Sequence, residues 1–170
     1  MGQLGLYLVF VGIVLVMNGA CRLTNVNAKS TSFMNVATGV IIVVGSFILL
    51  CKAQNVGELV TYQSVTAGFL FGFTYLFIAA NYLFDLDWRP FGWFSLCVAI
   101  FAVTMAIVSY QAGDLRFVLL WAAWAVLWLE GFLEIVAGFK SLSKIFPYLS
   151  IAEGIFAAWI PSMFMILGYW

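Results

Sequence analysis

Six apolar stretches follow one another along the chain, near 4–22, 33–51, 63–84, 91–110, 116–138 and 148–169. Between them lie short segments where charge, Pro, Gly or Asn breaks the pattern: NVNAKS (25–30), KAQNVGE (52–58), DLDWRP (85–90), QAGD (111–114) and FKSLSKIFP (139–147). Runs of roughly 18–24 residues, rising about 1.5 Å per residue as helix, are long enough to cross about 30 Å of hydrocarbon. In lipid every backbone N–H and C=O has to be bonded within its own segment, so the pattern predicts six transmembrane α-helices. No soluble domain fits between them, and residues 1–170 read as one membrane domain.

Finer periodicity marks which faces carry chemistry. In the fifth stretch Phe117, Trp121, Trp124 and Trp128 fall at spacings of four, three and four, which puts four rings on one face of a helix. The rings are spread along the helix, whereas an interfacial belt gathers aromatics at one level at each end. Phe69, Phe73 and Phe77 make a second aromatic stripe in the third stretch, and Leu4, Leu8, Val11 and Leu15 an aliphatic one in the first. A bundle that brings these stripes together encloses a narrow aromatic and aliphatic slot. Overlaying the third and sixth stretches matches Ser64 with Ser150, Gly68 with Gly154, Gly72 with Ala158 and Phe73 with Trp159. Three spans separate the copies, so this overlay predicts two three-helix halves of opposite sense. The small residues at Gly68, Gly72, Gly154 and Ala158 would let backbones approach closely.

Composition agrees with a membrane protein, at 65% hydrophobic and 8% charged residues. Seven basic residues balance seven acidic ones, so there is no polybasic patch for nucleic acid, and no histidine is present to ligate a metal or switch with pH. No cofactor or metal is implied. Cys21, Cys51 and Cys97 are far apart and read as packing residues. The first, third and fifth connections hold Arg22, Lys29, Arg89, Lys140 and Lys144, while the second and fourth hold Lys52 and Arg116. That bias places both termini on the extracytoplasmic side. The first apolar run has no basic residues ahead of it and is expected to remain as a span.

Carboxylates within the spans need a reason, because each costs at least ~2.5–3.5 kcal/mol at the membrane centre. Glu134 lies near the end of the fifth stretch, within reach of water or the basic fifth connection. Glu130 is one turn deeper. Glu153 follows Pro147 at the start of the sixth stretch, where the helix dipole favours a negative charge, and is a candidate pathway residue.

Four blocks carry a resemblance along the chain: VGIVLVMNGACRLTNVNAKSTSFMN (11–35), GFLFGFTYLFIAANYLFDLDWRPFGWFSL (68–96), WAAWAVLWLEGFLE (121–134) and IAEGIFAAWIP (151–161). In these the sequence resembles the UreI/AmiS family of urea and short-chain amide channels. The resemblance implies a bacterial inner-membrane protein of six helices in two inverted three-helix repeats, with a pore in each protomer and a homo-hexameric ring set in lipid. Matched by motif, it implies a pore lined by Leu8, Val11 and Leu15, Phe73 and Phe77, Trp121, Trp124 and Trp128, and Glu153.

A planar neutral amide suits such a slot, since flat rings admit it edge-first and offer π faces to its N–H groups. An apolar constriction cannot replace an ion's hydration shell, so ions are excluded. No nucleophile and base occur together, so hydrolysis falls to a cytoplasmic urease or amidase. Acid-gated members of the family use histidines in extracellular loops, and without any the expectation is a pore open at neutral pH, tuned at most through Glu58 and Asp114. A proton-coupled transporter using Glu153 or Glu130, and a membrane scaffold that transports nothing, are the alternative classes.

Overall fold

The computed structural model describes residues 2–53 and 59–170; Glu58 lies outside the described residues. Six helices long and apolar enough to cross a membrane occur among the described residues, with no strand, and the protein is a multi-pass membrane protein. They are α1 (Gly2–Leu23), α2 (Ser32–Ala53), α3 (Leu59–Phe84), α4 (Arg89–Gln111), α5 (Leu115–Ile135) and α6 (Phe146–Leu167). Short 3₁₀ turns, Ala28–Thr31 and Lys140–Lys144, lead into α2 and α6.

Local chemistry sets the helix ends. Asp114 caps α5 by accepting from the Phe117 N–H at 3.2 Å, which satisfies one of the orphan donors of a first turn. α5 stops at Ile135, short of the 138 expected from hydropathy, and the chain turns at Gly138 with φ +82°. α4 and α6 open on Pro90 and Pro147, whose missing N–H costs nothing in a first turn. Further along α6, Pro161 cannot donate to the preceding turn, and the six residues before Ile160 (Gly154–Trp159) form a π-helical segment. Glu153 sits immediately before that segment.

The helices form three hairpins, α1–α2, α3–α4 and α5–α6. The second helix of each packs along the first helix of the next, α2 on α3, α4 on α5 and α6 on α1, closing a ring. This arrangement corrects the inverted three-helix repeat. Inversion would carry α2 against α3 onto α5 against α6, and α4 against α5 onto α1 against α2, yet those pairs touch only lightly. The ring instead relates parallel hairpins by rotation about an axis along the membrane normal.

Other features repeat with the hairpins. Val11, Gly12, Val14 and Leu15 are buried, and so are Phe71, Gly72, Thr74 and Tyr75 sixty residues on. Asn25 and Asp85, also sixty apart, hold left-handed backbone with φ 55° and 51° after α1 and α3; their short polar side chains tolerate that region. Beside them Val26 N–H bonds to Cys21 O at 2.9 Å and Leu86 N–H to Asn81 O at 3.2 Å, the 6→1 bonds that close a helix C-terminus. Gly138 takes the same place after α5.

Small residues set the spacing where the hairpins meet. A Cβ on Gly12 would lie 2.8 Å from the Gly154 oxygen, and one on Gly39 2.9 Å from the Gly72 oxygen. Gly72 and Gly154 therefore do permit close approach, as read from the sequence, with α2 and α1 as their partners. Since lipid offers no hydrophobic drive between helices, this fit is what holds the ring. The outer surface carries exposed apolar side chains such as Phe33, Phe47, Ile100 and Leu119.

Candidate functional site: an aromatic cavity on the ring axis

The inner faces of α1, α3 and α5, with the first turns of α4 and α6, enclose a cavity of about 320 Å³. It opens at the end carrying the first, third and fifth connections. Equivalent positions of the three hairpins line it in sets: Arg22, Tyr82 and Ile135 at the mouth, then Asn18, Ile78 and Gly131, then Leu15, Tyr75 and Trp128. Val11, Phe71 and Trp124 come deepest.

Phe71 closes this floor. Its ring centroid lies 6.2 Å from that of Trp121, 5.0 Å from Trp124 and 4.8 Å from Trp128, each meeting edge to face. Trp121 and Leu8 are buried beyond the floor and do not border the cavity.

Hydrogen bonds hold the wall in place. Trp128 Nε1–H donates to Thr74 Oγ1 at 3.3 Å, and that hydroxyl donates to the Leu70 carbonyl at 2.8 Å. The Ser150 hydroxyl donates to Leu15 O at 2.8 Å, tying α6 to α1. Asn18 and Asn35 exchange carboxamide bonds at 3.1 and 2.9 Å. In contrast, the Trp124 Nε1–H is buried with no protein acceptor. Such a donor costs free energy comparable to a lost hydrogen bond.

Of the residues expected from sequence, Val11, Leu15, Trp124 and Trp128 border the cavity. Glu153 is 6% exposed with Oε2 unpartnered, close enough to buried Tyr75 to act on it electrostatically. Phe73 does not reach the cavity: it is 45% exposed on the outer surface and stacks on Phe69 at 5.7 Å. Phe77 packs behind the wall against Phe91 and Phe94, at 5.6 and 6.0 Å. The reason is angular. A spacing of four drifts about 40° per step, and Phe73 is about 200° around the helix from Phe71. Phe71, Tyr75, Ile78 and Tyr82, at spacings of four, three and four, form the stripe that faces the axis; sequence reasoning missed it, although the same intervals separate Val11, Leu15, Asn18 and Arg22 in α1.

Charge collects at the mouth. Glu134 pairs with Arg22 at 2.6 Å, across from α5 to α1, rather than with the fifth connection. Asp87, outside the spans, accepts from the Arg89 side chain and backbone, which holds its carboxyl below the usual carboxylate range.

Known proteins share this architecture. The chain is 37% identical to the acid-activated urea channel of Helicobacter pylori, over 99% of this chain and all of that one. It is 33% identical to a putative amidate substrates transporter protein of Mycolicibacterium smegmatis, over 100% of this chain and 78% of that one. The structure of the Helicobacter pylori urea channel in its closed state superposes with a TM-score of 0.91 at 40% identity, covering 98% of this chain and 99% of that one. These relatives are named as channels and transporters, not enzymes. Residues 3–169 match the family described as AmiS/UreI family transporter, from the first span to the last, and the chain belongs to that family.

Proposed function

We propose that this protein is a passive channel for urea and short-chain aliphatic amides, conducting them along the ring axis of each protomer. The observation that carries this reading is the cavity itself: a slot walled by indole and phenyl rings that ends at Phe71 and Trp124. Val11, Leu15, Phe71, Tyr75, Trp124 and Trp128 line the route, and Leu8, Trp121 and Glu153 continue it past the floor. The six spans act as one channel unit. The relatives named as a urea channel and an amidate transporter support the solute class.

In this reading the protein lies in the bacterial inner membrane with both termini extracytoplasmic, assembles as a homo-hexamer in lipid, and feeds a cytoplasmic urease or amidase. The cavity mouth then faces the cytoplasm. Conduction does not depend on histidine gating.

Stopped-flow recovery of proteoliposomes after parallel urea, acetamide and glycerol challenges at neutral pH tests it. Rapid amide entry with glycerol excluded, altered by Trp124→Ala, is the expected result. Amide entry no faster than through empty lipid would overturn it.

Buried carboxylates favour a second reading, proton-coupled amide transport. Glu130 has both oxygens buried without partners, and Glu153 has one. Coupling would appear as uptake driven by a pH gradient alone, saturating at low solute concentration, and lost in Glu130→Gln or Glu153→Gln.

A further inference from the structure

Arg22 near the end of α1 and Glu134 in the last turn of α5 meet over the mouth of the cavity, and both line it. Their bond is single-point, Nη2 to Oε1 at 2.6 Å. The guanidinium lies 5.0 Å over the Phe146 ring, which fixes its position. A guanidinium carries five N–H donors, and among the described residues this is the one hydrogen bond it makes. A carboxylate offers about four lone-pair sites, and the Arg22 bond occupies one of those on Glu134. One turn deeper, Glu130 is 5% exposed with both oxygens unpartnered, and it lies within electrostatic range of Arg22 and Glu134. Glu130 does not border the cavity, so the mouth itself offers spare guanidinium donors on α1 beside the Glu134 carboxylate on α5.

That is the complement of one edge of a primary amide, where the carbonyl oxygen accepts while the N–H syn to it donates. We propose that Arg22 and Glu134 form an amide-docking station at the mouth, Arg22 donating to the solute carbonyl and Glu134 accepting its syn N–H. The proposal rests on the amide-channel reading and adds to it a determinant of specificity. Aromatic rings at the floor sort solutes by thickness; the mouth sorts them by hydrogen-bonding edge. Charge-assisted bonds are the stronger kind, but here the side chains are 37% and 18% exposed, and water competes. Weak, exchangeable docking is what a channel requires if solute is to leave again.

Acetamide presents a C=O and a syn N–H on one edge. N-methylacetamide, in its trans form, has its methyl syn to the oxygen and no N–H there. Flux of both is measured at neutral pH in proteoliposomes of the wild type, Arg22→Leu, Arg22→Lys and Glu134→Leu, each checked for an unchanged elution profile. The acetamide to N-methylacetamide ratio is expected to fall at least threefold in every variant. Arg22→Lys keeps the charge but not the planar fork, so it carries the test should Arg22→Leu fail to fold. An unchanged ratio would overturn the proposal. So would equal acceleration of both solutes, which would make the ion pair a plain obstruction. A wild type that passes neither amide overturns the channel reading, and this one with it.

Discussion

Phe71 meets Trp124 edge to face, ring centroids 5.0 Å apart and planes at 85°. Trp124 meets Trp121 in the same manner, at 4.9 Å and 86°. Each ring thus braces the next, and none can swing aside without losing its neighbour. Such pairs contribute about 0.5–1.5 kcal/mol beyond their buried area. The cavity floor is therefore a thin, rigid aromatic layer whose aperture depends on very few side chains.

Removing one of them is expected to widen it. Phe71→Ala deletes the ring that touches three indoles, so glycerol should enter proteoliposomes at least threefold faster than in wild type. Folding stability should fall by about 3–5 kcal/mol, the usual cost of emptying a buried phenyl site. Phe73→Ala supplies the contrast: on the outer surface it should leave urea flux within twofold. If Phe73→Ala opened the pore to glycerol and Phe71→Ala did not, the assignment of the third-helix face would be wrong.

The sequence resolved the six spans because a membrane span needs only length and apolarity, which run-by-run hydropathy reports. The tryptophan face of α5 was legible for a related reason: Trp121, Trp124 and Trp128 alternate spacings of three and four, which follow a helix. The third-helix face was misread because Phe69, Phe73 and Phe77 repeat a single spacing of four, which drifts off any one face. The threefold hairpin repeat was hidden by chemistry. Its equivalent positions read Val11, Phe71 and Trp124, or Leu15, Tyr75 and Trp128, so they conserve burial and not residue type. Its register shows instead in backbone features, Asn25 and Asp85 in left-handed conformation and glycines at Gly12 and Gly72. The Arg22–Glu134 pair, 112 positions apart, needs the closed ring before it becomes visible.

The Trp128 indole is held by Thr74. Thr74→Val preserves shape and removes the acceptor, leaving a buried indole N–H unsatisfied, which costs about 1–3 kcal/mol. A lower unfolding temperature is expected for the detergent-solubilised protein, together with altered urea flux as the ring plane loosens on the cavity wall. Thr74→Ser keeps a hydroxyl and should behave much more like wild type. Equal behaviour of the Val and Ser variants would mean that the 3.3 Å contact contributes nothing.

Close packing of α6 on α1 makes Gly154 intolerant of size. A Cβ there would stand 3.0 Å from the Gly12 oxygen and 2.9 Å from Val16 Cγ2. Gly154→Ala should therefore cost about 1–3 kcal/mol as the helices part. Gly131→Ala is the control, since its nearest obstacle is Ser95 Oγ at 3.4 Å, ordinary van der Waals contact. Thermal scans of both variants should show the first well below wild type and the second close to it. Because Gly131 borders the cavity, this comparison concerns stability and not flux.

Proton dependence separates the channel from the coupled transporter. With no histidine in the chain, no side chain has an ordinary pKa in the window from pH 7.5 to 5. Among the loop carboxylates Asp87 is held below the usual range by hydrogen bonds from Arg89. A depressed folded value means that its contribution to stability is fully present above the unfolded pKa of about 3.9 and is lost only as pH falls through the folded value. Asp87 therefore stays ionised throughout that window. Urea flux measured at external pH 7.5 and 5 should accordingly differ by less than tenfold. A tenfold or greater rise at pH 5 would sink the ungated pore. If that rise disappeared in Glu130→Gln or Glu153→Gln, the buried carboxylate would be identified as the proton's site and coupled transport would replace passive conduction.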